Sequence, residues 1–161
     1  MKKLFIAVLV AASFTACNGN TEAKVETTEK QTAAVAEGTV YTLDSTSNIS
    51  WTGSKPTGKH TGTFNITNGD LSVKDGALTG GTFTIDINSL NNEDLAGDAE
   101  SKGKLEGHLK SPDFFDVAKY PTAKFEITGV EVNTDSTKKD ITHIIKGNLT
   151  LKDSTKNVAI P

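Results

Sequence analysis

The chain has 161 residues, a length typical of one domain, and carries 17 lysines and no arginine against 20 acidic residues, for a net charge of −3. Proteins that bind nucleic acid place clustered cations against the phosphates and contact the bases through bidentate arginine. This acidic composition without arginine therefore excludes a nucleic-acid partner. Cys17 is the only cysteine, which excludes an internal disulfide, a cysteine-ligated metal site and a paired redox motif.

The first seventeen residues have the pattern of an export signal. Lys2 and Lys3 supply the positive start, and residues 4–12 form an apolar run that is shorter than the roughly 20 residues a membrane-spanning helix needs. Residues 13–17 read SFTAC, and small residues before a cysteine resemble a lipobox, where bacteria attach lipid to the thiol. We expect Cys17 to anchor an exported protein in the bacterial envelope, in the periplasm or at the outer membrane. The alternative is an ordinary secretory signal with an incidental cysteine.

Residues 18–37 are rich in threonine, glutamate, alanine and lysine, and Val25 and Val35 are their only larger aliphatic residues. A segment of this composition buries too little apolar surface to offset the entropy lost on ordering. The composition therefore predicts a flexible tether between Cys17 and the folded body.

From Gly38 onward, β-branched and aromatic residues alternate with polar ones, which is the pattern of strands with one buried face. The Asn68-Gly69 and Asp75-Gly76 pairs are typical of tight hairpin turns. The alternation predicts strands at residues 39–43, 48–53, 60–67 and 81–88.

Residues 89–121 break this alternation, because Leu95, Leu105 and Leu109 recur at loose helical spacing among charged residues. Ser111, followed by proline and aspartate, then matches the N-cap and first turn of a helix. The pattern predicts a short helix followed by a one-turn helix, both forming a cap between two strands.

The last third of the chain returns to strand patterns at residues 124–133 and 141–152, and residues 158–161 begin a further strand. Gly129 shifts the phase of the alternation, which indicates a β-bulge. The whole pattern predicts an all-β fold with a short helical insert, most simply an antiparallel barrel. Because a sheet ending here exposes an edge strand, we expect the barrel to be incomplete, by about two strands.

Several stretches together resemble the YceI-like family over residues 39–161. They are SWTG at 50–53, HTGTF at 60–64, IDINSL at 85–90, GHLKSPDFFDVAKYP at 107–121, AKF at 123–125 and GNLTL at 147–151 with KNV at 156–158. The segment from His108 to Phe125 is the most specific. The chain departs from the family pattern at Glu106, at Asp153 and at its C-terminal end.

The resemblance implies a lipocalin-like β-barrel domain over residues 38–161, with a long apolar cavity that holds a polyisoprenoid, an isoprenoid quinone or a similar lipid. It implies no catalysed reaction and no cofactor other than such a lipid. We therefore expect a non-enzymatic lipid-binding protein held at the membrane by Cys17. The rival interpretation is a structural or protein-interaction module with a solid barrel, since apolar residues inside a small barrel usually fill its core.

The residues expected to contact the lipid fall into three groups. Apolar side chains form the wall, aromatic side chains of the insert cover the mouth, and two histidines offer hydrogen bonds to a polar head. The histidines have an equally good alternative as structural residues. The wall is assigned to Phe64, Phe83, Phe125 and Leu149, the mouth to Phe114, Phe115 and Tyr120 (with a plain hydrophobic cap as an equal alternative), and the head to His60 or His108. Trp51, Leu105 and Leu109 are further expected contacts.

Other chemistry finds little support in the sequence. The three histidines lack the paired spacing of a metal site, and no Gly-x-Ser-x-Gly motif marks a nucleophile. Asp113 and Asp116 are explained as acids of a helix start. Three Asp-Ser-Thr triplets match both ordinary turns and a bacterial O-glycosylation sequence, with turns the favoured interpretation. They begin at Asp44, Asp135 and Asp153.

Overall fold

The computed structural model describes residues 27–161. Eight strands and one helix follow one another along this part of the chain. They are β1 (Thr27–Glu29), β2 (Thr39–Thr42), β3 (Asn48–Lys55), β4 (Gly58–Lys74), β5 (Ala77–Asn92), α1 (Ala99–Lys110), β6 (Thr122–Val132), β7 (His143–Leu151) and β8 (Ser154–Ile160). The prediction of an all-β fold with a short helical insert is confirmed.

All strand pairs are antiparallel and form one sheet in the order β1-β8-β7-β6-β5-β4-β2. The long strand β4 has two partners on the same edge, because β3 pairs with its first half and β2 with its second half. Within the described residues no ladder joins β8 to β3, so the sheet is open along this seam. Such a sheet is consistent with the barrel expected from the sequence and is not closed.

The sheet curls so that its two edges face the same interior. Ile49 on β3 and Ile160 on β8 line one cavity, although no ladder joins their strands within the described residues. Side chains alternate between faces along each strand, and the apolar set points inward on β4 through β7. Two groups of buried residues form the core, one around Ile85 and Ile87 and the other around Ile127.

The hairpin between β4 and β5 turns at Asp75 and Gly76, whose φ angles are +52° and +79°. Positive φ at both central residues is the geometry that matches the twist of the flanking strands, so this predicted turn is confirmed. The second predicted turn, at Asn68-Gly69, is wrong, because β4 continues through it and pairs with β5. A Cβ on Gly69 would lie 2.6 Å from Cδ1 of Phe83, so the glycine makes room for that ring.

The register of β6 against β7 shifts between Ile127 and Gly129. The extra residue, Thr128, accepts a hydrogen bond at Oγ1 from Asn157 Nδ2 at 2.9 Å. The bulge predicted from the phase shift at Gly129 is confirmed.

Helix α1 begins at Asp98, whose carboxylate accepts the backbone N–H of Ser101, and ends at Ser111, whose N–H bonds the carbonyl of His108. The one-turn helix predicted after Ser111 is wrong. The backbone there forms hydrogen-bonded turns instead, with the N–H groups of Phe114 and Asp116 both donating to the carbonyl of Ser111. Ser111 thus closes one helix and does not open another.

Two of the three Asp-Ser-Thr triplets have the turn structure favoured from the sequence. The Oδ1 atoms of Asp44 and Asp135 each accept the backbone N–H and the hydroxyl of the threonine two residues on, at 2.6–2.9 Å. These hydrogen bonds lower the pKa of both carboxyls. The third triplet begins at Asp153 in the turn between β7 and β8, and its other two residues belong to β8.

Residues 30–38 form a strap that crosses the outer face of the sheet. Strand β1 pairs with β8, and the chain then passes β7, β6 and β5 before it reaches β2. The backbone of Gln31 exchanges two hydrogen bonds with the side chain of Asn148, Ala34 N donates to Ile127 O, and Glu37 N donates to Thr79 Oγ1. The strap is attached through its polar backbone groups and not through buried apolar side chains.

The strap belongs to the segment for which composition predicts a flexible tether. Residues 27–37 of that segment lie along the domain, and residues 18–26 lie outside the described residues, as do Cys17 and the export signal. Over residues 27–161, no helix combines the length and the apolar character that crossing a membrane requires.

Candidate ligand-binding cavity

The curled sheet lines an open apolar cavity of about 470 Å³. This volume lies within the range of about 300–1,000 Å³ typical of ligand pockets. Every lining side chain is apolar. The lining residues are Ile49, Ile66, Phe64, Phe83, Ile85, Ile87, Phe115, Ala123, Phe125, Leu149, Leu151 and Ile160.

Small residues shape the inner wall by making room for the large ones. Gly147 on β7 lies beneath Phe125 of β6, and a Cβ there would come within 2.2 Å of Cζ of that ring. Gly62 leaves room for Trp51 in the same way, because an added Cβ there would lie 2.7 Å from Cζ2 of the indole. A side chain at either glycine would therefore force the ring above it to move away from the sheet.

The turns after α1, residues 111–121, cover one end of this interior and are called the cap. Phe115 of the cap packs against Phe64 of the wall. Phe114 packs edge-on against Phe115 at a ring-centroid distance of 4.8 Å. Together with Trp51, Leu90 and Leu109, these three rings line a second, smaller cavity of about 190 Å³. The two cavities share Phe64 and Phe115, so they are neighbours beneath the cap.

The cap is fastened at both of its ends. Phe115 N donates to the carbonyl of Leu109 at 3.0 Å on the helix side. On the other side, Lys152 from the β7–β8 turn donates to the carbonyl of Phe114 at 2.9 Å, and Tyr120 donates to Asp153 at 3.4 Å. The cap therefore joins helix α1 to the turn between β7 and β8.

His60 pairs with Gly53 of the smaller cavity in the β3–β4 ladder and is bound by Asp94, with 2.8 Å between Nδ1 and Oδ2. The other carboxylate oxygen of Asp94 accepts the backbone N–H of Thr61 and the amide of Asn92. The backbone N–H of Thr61, followed by His60, lowers the pKa of Asp94 to about 2. This pair attaches the start of β4 to the loop before α1.

Trp51 lines the smaller cavity, with its ring centroid 6.3 Å from that of Phe64. Its indole nitrogen is buried and has no hydrogen-bond partner within the described part of the chain. Buried polar groups normally find a hydrogen-bond partner, so the indole nitrogen of Trp51 is an exception among the described residues.

The structure brings together eight of the twelve residues proposed from the sequence. Phe64, Phe83, Phe115, Phe125 and Leu149 line the larger cavity, and Trp51, Leu109 and Phe114 line the smaller one. The other four lie outside both linings. They are His60, bound to Asp94, Leu105 on α1, His108 on the exposed last turn of α1, and Tyr120 at the cap's anchor.

Seven further residues that the sequence did not single out also line the larger cavity. Alternation within strands marks most of them, because they share a face with the phenylalanines already proposed. Ile160 is different, since its position opposite β3 depends on how the sheet curls. The omitted residues of the larger cavity are Ile49, Ile66, Ile85, Ile87, Ala123, Leu151 and Ile160.

A comparison with protein families matches residues 41–161 to the YceI-like domain. The chain belongs to the YceI-like family. Proteins of this family are generally described as periplasmic β-barrels that bind lipids or polyisoprenoids.

Curated relatives agree with this assignment. The chain is 55% identical over 53 residues to UPF0312 proteins of Pseudomonas aeruginosa (strain LESB58) and Pseudomonas paraeruginosa (strain DSM 24068 / PA7). It is 53% identical over the same length to a UPF0312 protein of Azotobacter vinelandii. Each match covers 33% of this chain and 25% of the relative.

Proposed function

We propose that this YceI-like protein holds one long apolar lipid, of the polyisoprenoid or isoprenoid-quinone type, in the cavity inside its sheet. The observation that carries the proposal is the interior of about 470 Å³, whose described lining consists of apolar side chains. An apolar chain that leaves water for such a site gains about 0.8 kcal/mol per buried methylene. The role is one of binding and holding, without catalysis.

We also propose that the domain works at a membrane surface, through a lipid on Cys17. The described chain begins at Thr27 on the edge of β8, and the strap carries residues 30–38 back across the sheet. The connection from Cys17 to Thr27 is about ten residues long and spans about 35 Å at most when fully extended. A domain on so short a connection loads and unloads lipid at one surface.

The proposal is tested by blocking the cavity from a position where added volume points inward. Ala123 is 3% exposed and lines the cavity. Ala123→Phe places a ring there, and we expect bound lipid to fall strongly when the protein is purified from its host and extracted with organic solvent. Its matched control is Lys124→Phe, which places the same ring on the exposed face of the same strand.

Native mass spectrometry of the whole chain provides the second measurement. A bound mass in the wild type and in Lys124→Phe, but not in Ala123→Phe, supports the proposal. Because overpacking costs about 1–3 kcal/mol, thermal melts must show that Ala123→Phe is folded. Protein isolated without any lipid from its host would instead favour the rival role as an interaction module.

A further inference from the structure

The end of the sheet opposite the cap carries an apolar surface of its own. Strand β7 begins at that end with His143, and the turn that follows β7 binds the cap through Lys152. The nine residues of β7 place the two ends roughly 25–30 Å apart. The end far from the cap is called the apolar end, and it is defined by Ala77, Leu78, Val130, Val132 and Ile145.

These five residues line an open hollow of about 400 Å³ together with Gly76 and His143. Val132 is 70% exposed, and it shares a face with Val130 because side chains alternate along a strand. Val130 pairs with Ile145 in the β6–β7 ladder. A single exposed valine is ordinary, whereas adjoining apolar side chains on three strands mark a surface that contacts something else.

The N-terminal part of the chain joins the domain beside the apolar end. Strand β1 starts at Thr27, opposite Val158 of β8, and runs from there toward the cap. Two residues further along β8, Ile160 pairs with Ile145 of the apolar end. The connection from Cys17 to Thr27 is about ten residues long and spans about 35 Å at most. A membrane that holds Cys17 is therefore reached most directly from the apolar end.

The charges around the apolar end are nearly balanced. Three lysines on the surrounding strands and loop each bind an acidic side chain, in the pairs Lys74–Glu37, Lys138–Asp135 and Lys146–Glu131. The turns that the structure describes at this end add Asp75, Lys139 and Asp140. A cluster of cations would attract anionic head groups. The balance of charge instead leaves apolar contact as the source of any affinity for a lipid surface.

We propose that the apolar end docks on the surface of a phospholipid bilayer, with the cap turned away from the bilayer. Val132 and its apolar neighbours insert among the head groups, and Cys17 keeps the domain beside them. The proposal rests on the proposed function, because it takes the membrane anchor from there. It adds the face of the domain that touches the membrane, and it makes docking independent of anionic lipid.

Quenching by lipid-borne bromine reports which end of the domain touches the bilayer. The whole chain is isolated from its host and reconstituted in vesicles of brominated phosphatidylcholine, with a fluorophore on one introduced cysteine. Ala77→Cys places the fluorophore on the apolar end and Asp113→Cys places it on the cap, both at exposed positions. The wild type, treated alike, measures any label on Cys17. We expect at least about threefold more quenching at position 77 than at position 113, because inserted side chains reach only the boundary between head groups and acyl chains.

Val132→Glu, combined with the label at position 77, tests whether apolar side chains carry the docking. The carboxylate must lose water on insertion, so we expect quenching to fall about threefold. Val35→Glu is the matched control, because Val35 is 78% exposed on the strap and receives the same charge on the outer face of the sheet. Adding phosphatidylglycerol to the vesicles should leave quenching at position 77 nearly unchanged.

Stronger quenching at position 113 than at position 77 would turn the cap toward the bilayer and overturn the proposal. An equal loss from Val35→Glu, or quenching that requires phosphatidylglycerol, would overturn docking by apolar contact. An absence of quenching at both positions would also overturn it, and a two-chain mass by native mass spectrometry would then assign the apolar end to a second copy.

The same preparations separate this proposal from the proposed function. Lipid extracted from a protein that shows no quenching at position 77 would leave lipid binding in place and remove only the docking surface. A protein that is quenched as expected but yields no lipid would contradict the proposed function alone.

Discussion

Phe64 and Phe115 meet edge to face, with their ring centroids 5.8 Å apart and their planes at 89°. Phe64 belongs to β4 in the wall, while Phe115 belongs to the cap, so this contact joins the two parts that enclose the cavity. Aromatic pairs in this geometry contribute about 0.5–1.5 kcal/mol beyond their area burial. The contact also lies between the two cavities, and each ring lines both of them.

We expect Phe115→Ala to lower the free energy of unfolding by about 2 kcal/mol, less than for a fully buried phenylalanine, because Phe115 is half-buried. The same change should speed lipid release, since the ring closes the cavity beneath the cap. Denaturant unfolding and a lipid-release assay measure the two effects. Phe114→Ala is the control, because Phe114 is 48% exposed and its loss should cost less than about 1 kcal/mol. Equal effects of the two variants would contradict this role for Phe115.

Gly147 is predicted to be intolerant of any side chain. An added Cβ would lie 2.2–2.8 Å from three atoms of the Phe125 ring, so Gly147→Ala must push that ring into the cavity. We expect a loss of about 1–3 kcal/mol in the free energy of unfolding and weaker lipid binding. Gly129→Ala is the matched control in the neighbouring strand, because its Cβ would meet nothing within 4 Å. A Gly147→Ala protein that is as stable as this control would show that the ring does not depend on Gly147.

Short sequence patterns correctly predicted those features of the fold that depend on residues close together in the chain. Alternation located the strands from β2 onward but not β1, which lies in the segment predicted to be a tether, and the phase shift at Gly129 located the bulge. The Asn68-Gly69 turn was wrong because pairing along the whole of β4 and β5 outweighs the preference of one dipeptide. The same limit applies to the second helix after Ser111, where turn hydrogen bonds to a single carbonyl replace a helical turn.

Contacts between residues that are far apart in the sequence could not be predicted from local patterns. The strap depends on Asn148, which lies 117 residues from Gln31 and shows no special pattern in its strand. His60 was a reasonable donor for a ligand until its partner Asp94, 34 residues away, was known.

The strap makes a sharp prediction about Asn148, which is 1% exposed. Its side chain accepts from Gln31 N at 2.9 Å, donates to Gln31 O at 2.7 Å and accepts from Asn157 Nδ2 at 3.1 Å. Asn148→Ala removes all three bonds from a buried position, so we expect a loss of about 2–3 kcal/mol. Amide exchange in residues 30–37 should also become faster, because the strap loses its first attachment.

Gln31→Ala is the matched control for the strap. The side chain of Gln31 bonds Glu29 O, while its backbone makes the two bonds to Asn148. The variant therefore keeps both backbone attachments and should leave exchange in the strap nearly unchanged. If Asn148→Ala lowers global stability without faster exchange in residues 30–37, the strap is held mainly by its other contacts.

Asp94 predicts how stability changes in acid. Its pKa falls from 3.8 to about 2, chiefly because it accepts the Thr61 backbone N–H and then because it binds His60. A carboxyl with a lowered pKa stabilises the folded state above its unfolded pKa, and that contribution is lost as the pH falls. The contribution of Asp94 should therefore be complete above about pH 4 and should disappear between about pH 4 and pH 2.

Asp94→Asn isolates this contribution from those of the other carboxyls, whose titration both proteins share. We expect the wild type to be the more stable protein at about pH 5 and the difference between the two to shrink steadily down to about pH 2. Urea unfolding at several pH values measures that difference directly. The substituted amide keeps the size of the side chain and removes its charge, so a gap that is independent of pH would mean that the ionised form of Asp94 contributes nothing to holding β4 against the loop before α1.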